Sequence, residues 1–106
     1  MTTLSTHVLD VERGMPAAGV PVALYQAERL LAEARTNGDG RIAHLASLEG
    51  GVYRIAFDAD AYFASQGRAA PFLKRVSVEF EVDPMVTHYH VPLLLTPYAC
   101  TSYRGS

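Results

Sequence analysis

The chain has 106 residues, 49% hydrophobic and 19% charged, with a net charge of −2, which fits one globular domain over residues 1–106 and argues against disorder. No Lys/Arg run marks a nucleic-acid footprint, no apolar run approaches the roughly 18 residues that cross a bilayer, and no charged-then-apolar leader precedes the first strand-like segment. The single cysteine, Cys100, excludes an intrachain disulfide and suits a reducing compartment, so a soluble cytoplasmic protein without nucleic-acid or membrane partners is expected.

In chain order, Ser5 to Val11 (STHVLDV) reads as a strand, followed by the turn-rich ERGMPAAG. Gly19 to Gln26 (GVPVALYQ) reads as a second, in which Pro21 marks an edge or a strand start. Leu30 to Thr36 (LLAEART) fits helix or strand, but the turn pairs Asn37-Gly38 and Asp39-Gly40 that follow favour a strand. Arg41 to Ala46 (RIAHLA) is a short strand after that turn. In Gly51 to Asp58 (GVYRIAFD), Tyr53, Ile55 and Phe57 share one face and Arg54, Ala56 and Asp58 the other. DADAYFASQG is the one helical segment, capped by Asp58 or Asp60 and ended by Gly67. KRVSVEFEV alternates most cleanly, with Val76, Val78, Phe80 and Val82 opposite Ser77, Glu79 and Glu81. His88 to Leu95 (HYHVPLLL) and Pro97 to Gly105 (PYACTSYRG) read as the last two strands. Seven or eight short strands with turns between them and one short helix predict an all-β two-sheet sandwich.

HYHVPLLL has an unusual outer face. Tyr89, Val91, Leu93 and Leu95 form an ordinary core face, but the other face carries His88, His90, Pro92 and Leu94. Titratable groups beside apolar ones suit a buried interface or a site better than open solvent. His7, Arg41, His44 and Arg104, each taken singly, read as surface or structural residues. Cys100 reads as an inert thiol, since no local pattern lowers its pKa. His7, His88 and His90 together could form a three-histidine zinc site, although no Cys pair or HExxH motif accompanies them. No GxSxG, phosphate loop or dinucleotide fingerprint is present.

These segments together resemble the 5-hydroxyisourate hydrolase family of transthyretin-related proteins. STHVLDVERGMPAAGVPVALY is similar to the family's opening strand, turn and second strand. TNGDGR is similar to its turn ending in arginine, GVYRIAFDADAYFASQG to its strand and short helix, and the terminal YRGS to its signature tetrapeptide. APFLKRV is the main local departure and lies away from the motif residues. The resemblance implies a transthyretin-like sandwich of about eight strands with one short helix, and a homotetramer built as a dimer of dimers with sites at the dimer–dimer interface. It implies hydrolysis of 5-hydroxyisourate to 2-oxo-4-hydroxy-4-carboxy-5-ureidoimidazoline in urate catabolism, without metal or organic cofactor. By the same resemblance His7, His90, Arg41 and Arg104 are the catalytic set, and Tyr103, Gly105 and Ser106 contact the substrate.

Two histidines flanking the attacking water, one accepting its proton and the other orienting it, would suit hydrolysis of a ring amide. Two arginines could clamp the flat substrate and stabilise an oxyanion. Two other readings stand beside the enzyme: a small-molecule carrier on the same fold, and a non-catalytic sandwich module with a metal-stabilised histidine patch. Transthyretin, the carrier of this fold, has neither these histidines nor YRGS.

Overall fold

The computed structural model describes residues 1–106 as strands β1 (Thr2–Asp10), β2 (Met15–Pro16), β3 (Pro21–Gln26), β4 (Arg29–Arg35), β5 (Arg41–Leu48) and β6 (Gly51–Asp58), helix α1 (Ala59–Ser65), and strands β7 (Arg75–Val82), β8 (His88–His90), β9 (Leu93–Leu95) and β10 (Cys100–Ser102). One sheet has the order β4-β3-β6-β7, all antiparallel. The other is built on β1, which pairs with β5 and β2 antiparallel and with β8 and β9 parallel, while β10 adds to β9. The expected two-sheet sandwich with one short helix is what the chain forms.

Two differences in strand count have local causes. HYHVPLLL is not one strand but β8 and β9, divided at Val91–Pro92. Proline has no N–H to donate, so the pairing is interrupted there and resumes in the same register: Ser5 opposes His90 and Val8 opposes Leu93. The turn-rich stretch after β1 folds back far enough to pair Met15 and Pro16 with Asp10 and Leu9, making β2. Pro21 starts β3 rather than lying on an edge, because β3 is flanked by β4 and β6. The ambiguous LLAEART segment lies within a strand, β4, an edge strand exposed along most of its length.

The core lies between the sheets. Leu4 and Val8 of β1 and Leu93 and Leu95 of β9 meet Leu24 of β3 and Ile55 and Phe57 of β6, all at 2% exposure or less. Each such side chain contributes about 1.5–3 kcal/mol by leaving water. Helix α1 is capped by Asp58, whose carboxylate accepts from Ala61 N at 3.0 Å, and it ends before Gly67 at φ +65°, a left-handed conformation that suits glycine. No helix is long and apolar enough to cross a membrane.

One buried ionic cluster ties β1 to the segment after α1. Asp10, fully buried, accepts from Tyr62 Oη at 2.8 Å and from Arg68 Nη1 at 2.5 Å, and Arg68 also pairs with Glu12. Burial alone would raise the Asp10 pKa, but the hydrogen bonds from Arg68, Tyr62 and the Arg13 backbone together outweigh it and hold the carboxyl below its ordinary 3.8. The unfolded chain therefore binds the proton more readily. The stabilisation from Asp10 is complete above the ordinary value and is lost as pH falls through the lower folded one. Arg68→Ala should lower stability by about 3–5 kcal/mol, because it leaves a buried carboxylate unpaired. Urea denaturation of wild type and variant measures this, and equal midpoints would count against the cluster's structural weight.

Candidate active site

The outer face of the β1-based sheet gathers residues that are distant in sequence. Alternation along β1 sends Leu4, Thr6 and Val8 inward and Thr3, Ser5 and His7 outward. On one side β5 places Arg41 directly opposite His7. On the other, β8 places His88 opposite Thr3 and His90 opposite Ser5.

Arg41 reaches this place through the turn before β5. The Asn37 side chain accepts from Asp39 N at 2.9 Å and Arg41 N at 3.0 Å. Gly40 has φ +73°, and a Cβ there would come within 2.5 Å of the Val8 carbonyl oxygen, so only glycine fits. Its own carbonyl accepts from Val8 N at 2.8 Å, fastening the turn to β1. Pairing between β1 and β5 then shifts: Leu4 faces Ala46, but Thr6 faces Ile42, where unbroken pairing would give His44. The shift is two residues, so face parity survives and Arg41 stays on the same side as His7.

The C-terminal segment is pinned to β8. Gly105 N donates to His90 O at 2.7 Å, and the two residues form an antiparallel bridge. A Cβ on Gly105 would lie 2.6 Å from His90 Cδ2 and 3.2 Å from its Cγ. The glycine therefore lets the tail lie flat against the imidazole. Ser102 Oγ donates to Pro92 O at 2.9 Å and anchors the approach. Tyr103 and Ser106 are exposed. Arg104 turns the other way: its guanidinium lies 4.7 Å from the centroid of the Tyr89 ring, and Tyr89 belongs to the face opposite His88 and His90. Within one chain, His7, Arg41, His90 and Gly105 are brought together and Arg104 is not.

The electrostatics of this face favour a neutral base. Burial of the His90 ring, followed by the nearby positive charge of Arg41 and the rings of His7 and His88, lowers the His90 pKa below its ordinary 6.5. His90 is therefore unprotonated near neutral pH, with a lone pair available. His7 Nε2 is buried and has no hydrogen-bond partner in the chain, so its bond must go to whatever enters the cleft. His90 Nδ1 and His88 Nε2 each lie 2.8 Å from Ser5 Oγ, and His88 Nδ1 lies 2.5 Å from Thr3 Oγ1. Thr3 and Ser5 were not singled out in the sequence; they share only the outward parity of His7 along the strand, which by itself marks no site. His88, Ser5 and His90 thus pair with one another, and no group of three His, Cys, Asp or Glu side chains converges as metal ligands. His44 stands apart on β5, 3.4 Å from Ser47 Oγ, and Cys100 is exposed on β10. A surface depression of about 800 Å³ lies on the other sheet against Tyr25, Glu33, Arg35 and Arg54, away from the histidines.

A neutral imidazole, a second imidazole with an unpartnered nitrogen and a guanidinium on one sheet face can activate water and hold a developing anion. Comparison with known proteins points the same way. The family model "HIUase/Transthyretin family" matches residues 4–105. The 5-hydroxyisourate hydrolase of Mesorhizobium japonicum is 45% identical, over 97% of this chain and 91% of that protein. The solved 5-hydroxyisourate hydrolase of Klebsiella pneumoniae superposes with a TM-score of 0.91 at 40% identity, covering 99% of this chain and 100% of that one. Sea bream transthyretin in complex with thyroxine superposes with a TM-score of 0.90 at 31% identity, covering 97% and 94%.

Gly105→Ala should push the His90 ring aside, since the added methyl would overlap its Cδ2. The His90 ring-proton NMR shifts report the displacement. Resonances identical to wild type would mean that the tail does not lie on the ring.

Proposed function

This chain belongs to the HIUase/Transthyretin family, and from that premise we propose that it hydrolyses 5-hydroxyisourate to 2-oxo-4-hydroxy-4-carboxy-5-ureidoimidazoline, a step of urate catabolism. The observation that carries this reading is the meeting of His7, Arg41 and His90 on one sheet face, with Gly105 held against His90. A carrier needs a shaped cavity, not a neutral base beside a cation, so the enzyme reading accounts for this face better than the carrier does.

Water attacks a ring amide carbonyl and the six-membered ring opens. His90, kept neutral by its surroundings, takes the proton from water and returns it to the ring nitrogen that leaves as the amide C–N bond breaks. The unpartnered Nε2 of His7 orients that water or the substrate. Arg41 offers its fork of N–H donors to the carbonyl oxygen as negative charge builds there. Gly105 lets the tail approach, Tyr103 walls the ring, and Ser106 supplies a hydroxyl or its carboxylate. For Arg104 to act as a second donor, its guanidinium must leave Tyr89 and turn toward the substrate. Each of these roles calls on a side chain already present, and none requires a cofactor.

The same proposal extends to the assembly and its surroundings. A face that combines histidines with the partly buried Leu94 suits a cleft closed by a second copy, as in a dimer of dimers with sites between the dimers. Light scattering should then give four times the 11.5 kDa chain mass; a monomer would overturn the shared-cleft arrangement. Residues 1–106 act as one hydrolase domain, and the cytoplasm, which keeps the exposed Cys100 reduced, is its proposed location.

Ultraviolet decay of freshly made 5-hydroxyisourate, with and without protein, tests the reaction. His90→Ala should lower kcat/KM by roughly 10²–10⁴-fold and Arg41→Ala by roughly 10²–10³-fold, with unfolding midpoints close to wild type. A wild-type decay no faster than buffer would end the enzymatic reading. Because protonation removes the base and the His90 pKa is lowered, kcat/KM should hold through neutral pH and fall only below the ordinary histidine value of 6.5. An acid limb above that value would be inconsistent with His90 as the base.

A further inference from the structure

His90 does not stand alone on its strand. Ser5 Oγ lies 2.8 Å from His90 Nδ1 and 2.8 Å from His88 Nε2. Thr3 Oγ1 lies 2.5 Å from His88 Nδ1, and the Thr3 hydroxyl donates to the Thr87 carbonyl at 3.4 Å. Side chains from β1 and β8 thus form one continuous row: Thr87 carbonyl, Thr3, His88, Ser5, His90.

From this row we infer that Ser5, His88 and Thr3 are positioning residues that hold His90 in the tautomer with its proton on Nδ1 and its Nε2 bare. The inference deepens the proposed hydrolysis and rests on it for its catalytic meaning. A carbonyl oxygen can only accept, so the Thr87 end sets the polarity. Thr3 donates its one proton to that carbonyl and must accept from His88 Nδ1–H. With its ring proton on Nδ1, His88 offers a lone pair on Nε2, which takes the Ser5 proton. Ser5 Oγ in turn accepts from His90 Nδ1–H. Every hydroxyl donates once, every ring donates once, and Nε2 of His90 is left unprotonated.

The tautomer matters because a neutral imidazole accepts a proton only at its bare nitrogen. Nδ1 is occupied by Ser5, so Nε2 must be the basic atom if His90 is to act on water. The composition of the row matters too. A carboxylate in place of His88 would hold the same tautomer but would favour the charged ring. Thr3, Ser5 and His88 add no negative charge beside His90; its neighbours are the Arg41 cation and the His7 and His88 rings. The row orients the base and leaves it free to be neutral. It also accounts for a histidine at position 88 on an outer sheet face, which bridging between strands explains and open exposure does not.

The test is nitrogen-15 NMR of the histidine rings in the full-length protein near neutral pH, read beside kinetics. Wild type should show His90 with the proton on Nδ1. Ser5→Ala should move His90 toward the Nε2–H form and lower kcat on the order of 10-fold or more while KM changes little. Ser5→Thr, which keeps the hydroxyl, should restore both readouts. His88→Phe should reproduce the Ser5→Ala tautomer change, and His88→Gln, which keeps an acceptor oxygen, should reverse part of it. A wild-type His90 protonated on Nε2 would overturn the inference without any kinetic measurement, as would Ser5→Ala with tautomer and kcat unchanged. If the tautomer responds as expected but the wild type does not turn over 5-hydroxyisourate, the hydrolytic reading falls and the structural assignment of the row stands.

Discussion

The alternation of β1 is the constraint on which the rest of the molecule depends. Its inward residues, Leu4, Thr6, Val8 and Asp10, are all buried, and its outward residues, Thr3, Ser5 and His7, form the floor of the site. A slip of one residue would exchange the two sets. That slip is opposed twice on the inner face: by the apolar core under Leu4 and Val8, and by the Arg68 and Tyr62 hydrogen bonds to Asp10. Thr6 adds a third restraint, since its hydroxyl donates to Val91 O at 2.6 Å from within the core. Stability and chemistry are therefore coupled in one strand, and the force that packs the inner face also aims the outer one.

Around that strand, irregularities do the positioning. The two-residue shift in β5 keeps Arg41 on the outer face while altering how far the strand runs beside β1. The break at Val91–Pro92 ends β8 just after His90 and lets β9 pair separately with β1. Gly40 and Gly105 each sit where a side chain would collide, the first with the Val8 carbonyl and the second with the His90 ring. A regular sheet would bury its core equally well, but it would not bring a turn and a chain terminus to the same pair of histidines. The terminal YRGS is tied to β8 by the Gly105 backbone, which bonds to His90, and by Arg104 on the Tyr89 ring.

Fold and site were legible in the sequence to different depths. Period-two patterns in GVYRIAFD and KRVSVEFEV announced β6 and β7: Tyr53, Ile55, Phe57, Val76 and Val82 are buried as assigned, and Val78 and Phe80 partly so. Asp58 or Asp60 and Gly67 marked the ends of α1, and Asp58 is the residue that caps it. The resemblance brought His7, Arg41, His90 and YRGS together as a set, and His7, Arg41, His90 and the Gly105 of that tetrapeptide meet on one face. Thr3 and Ser5 carried no signal, because a hydroxyl on a strand is common and its meaning depends on the neighbouring strand. Arg104 was expected beside the histidines, yet within one chain it stacks on Tyr89. The aromatic ring offers the guanidinium a nearby favourable contact, and nothing in the local sequence distinguishes that partner from a substrate.

The sequence by itself determined which residues alternate, where turns and caps interrupt them, and which side chains could do acid–base chemistry. These are properties of near neighbours, set by backbone sterics and hydrophobic period. Only the tertiary structure decided that β1 lies between β5 and β8, that Ser5 bridges His88 and His90, and that Asp10 is neutralised by an arginine on the far side of a helix. Pairing between distant segments depends on the whole core closing at once, because each long-range contact needs the others to offset the entropy of ordering the chain between them. The chemistry of His90 belongs to that second category: its residue type was written in the chain, but its lowered proton affinity and its bare nitrogen come from what folding places around it.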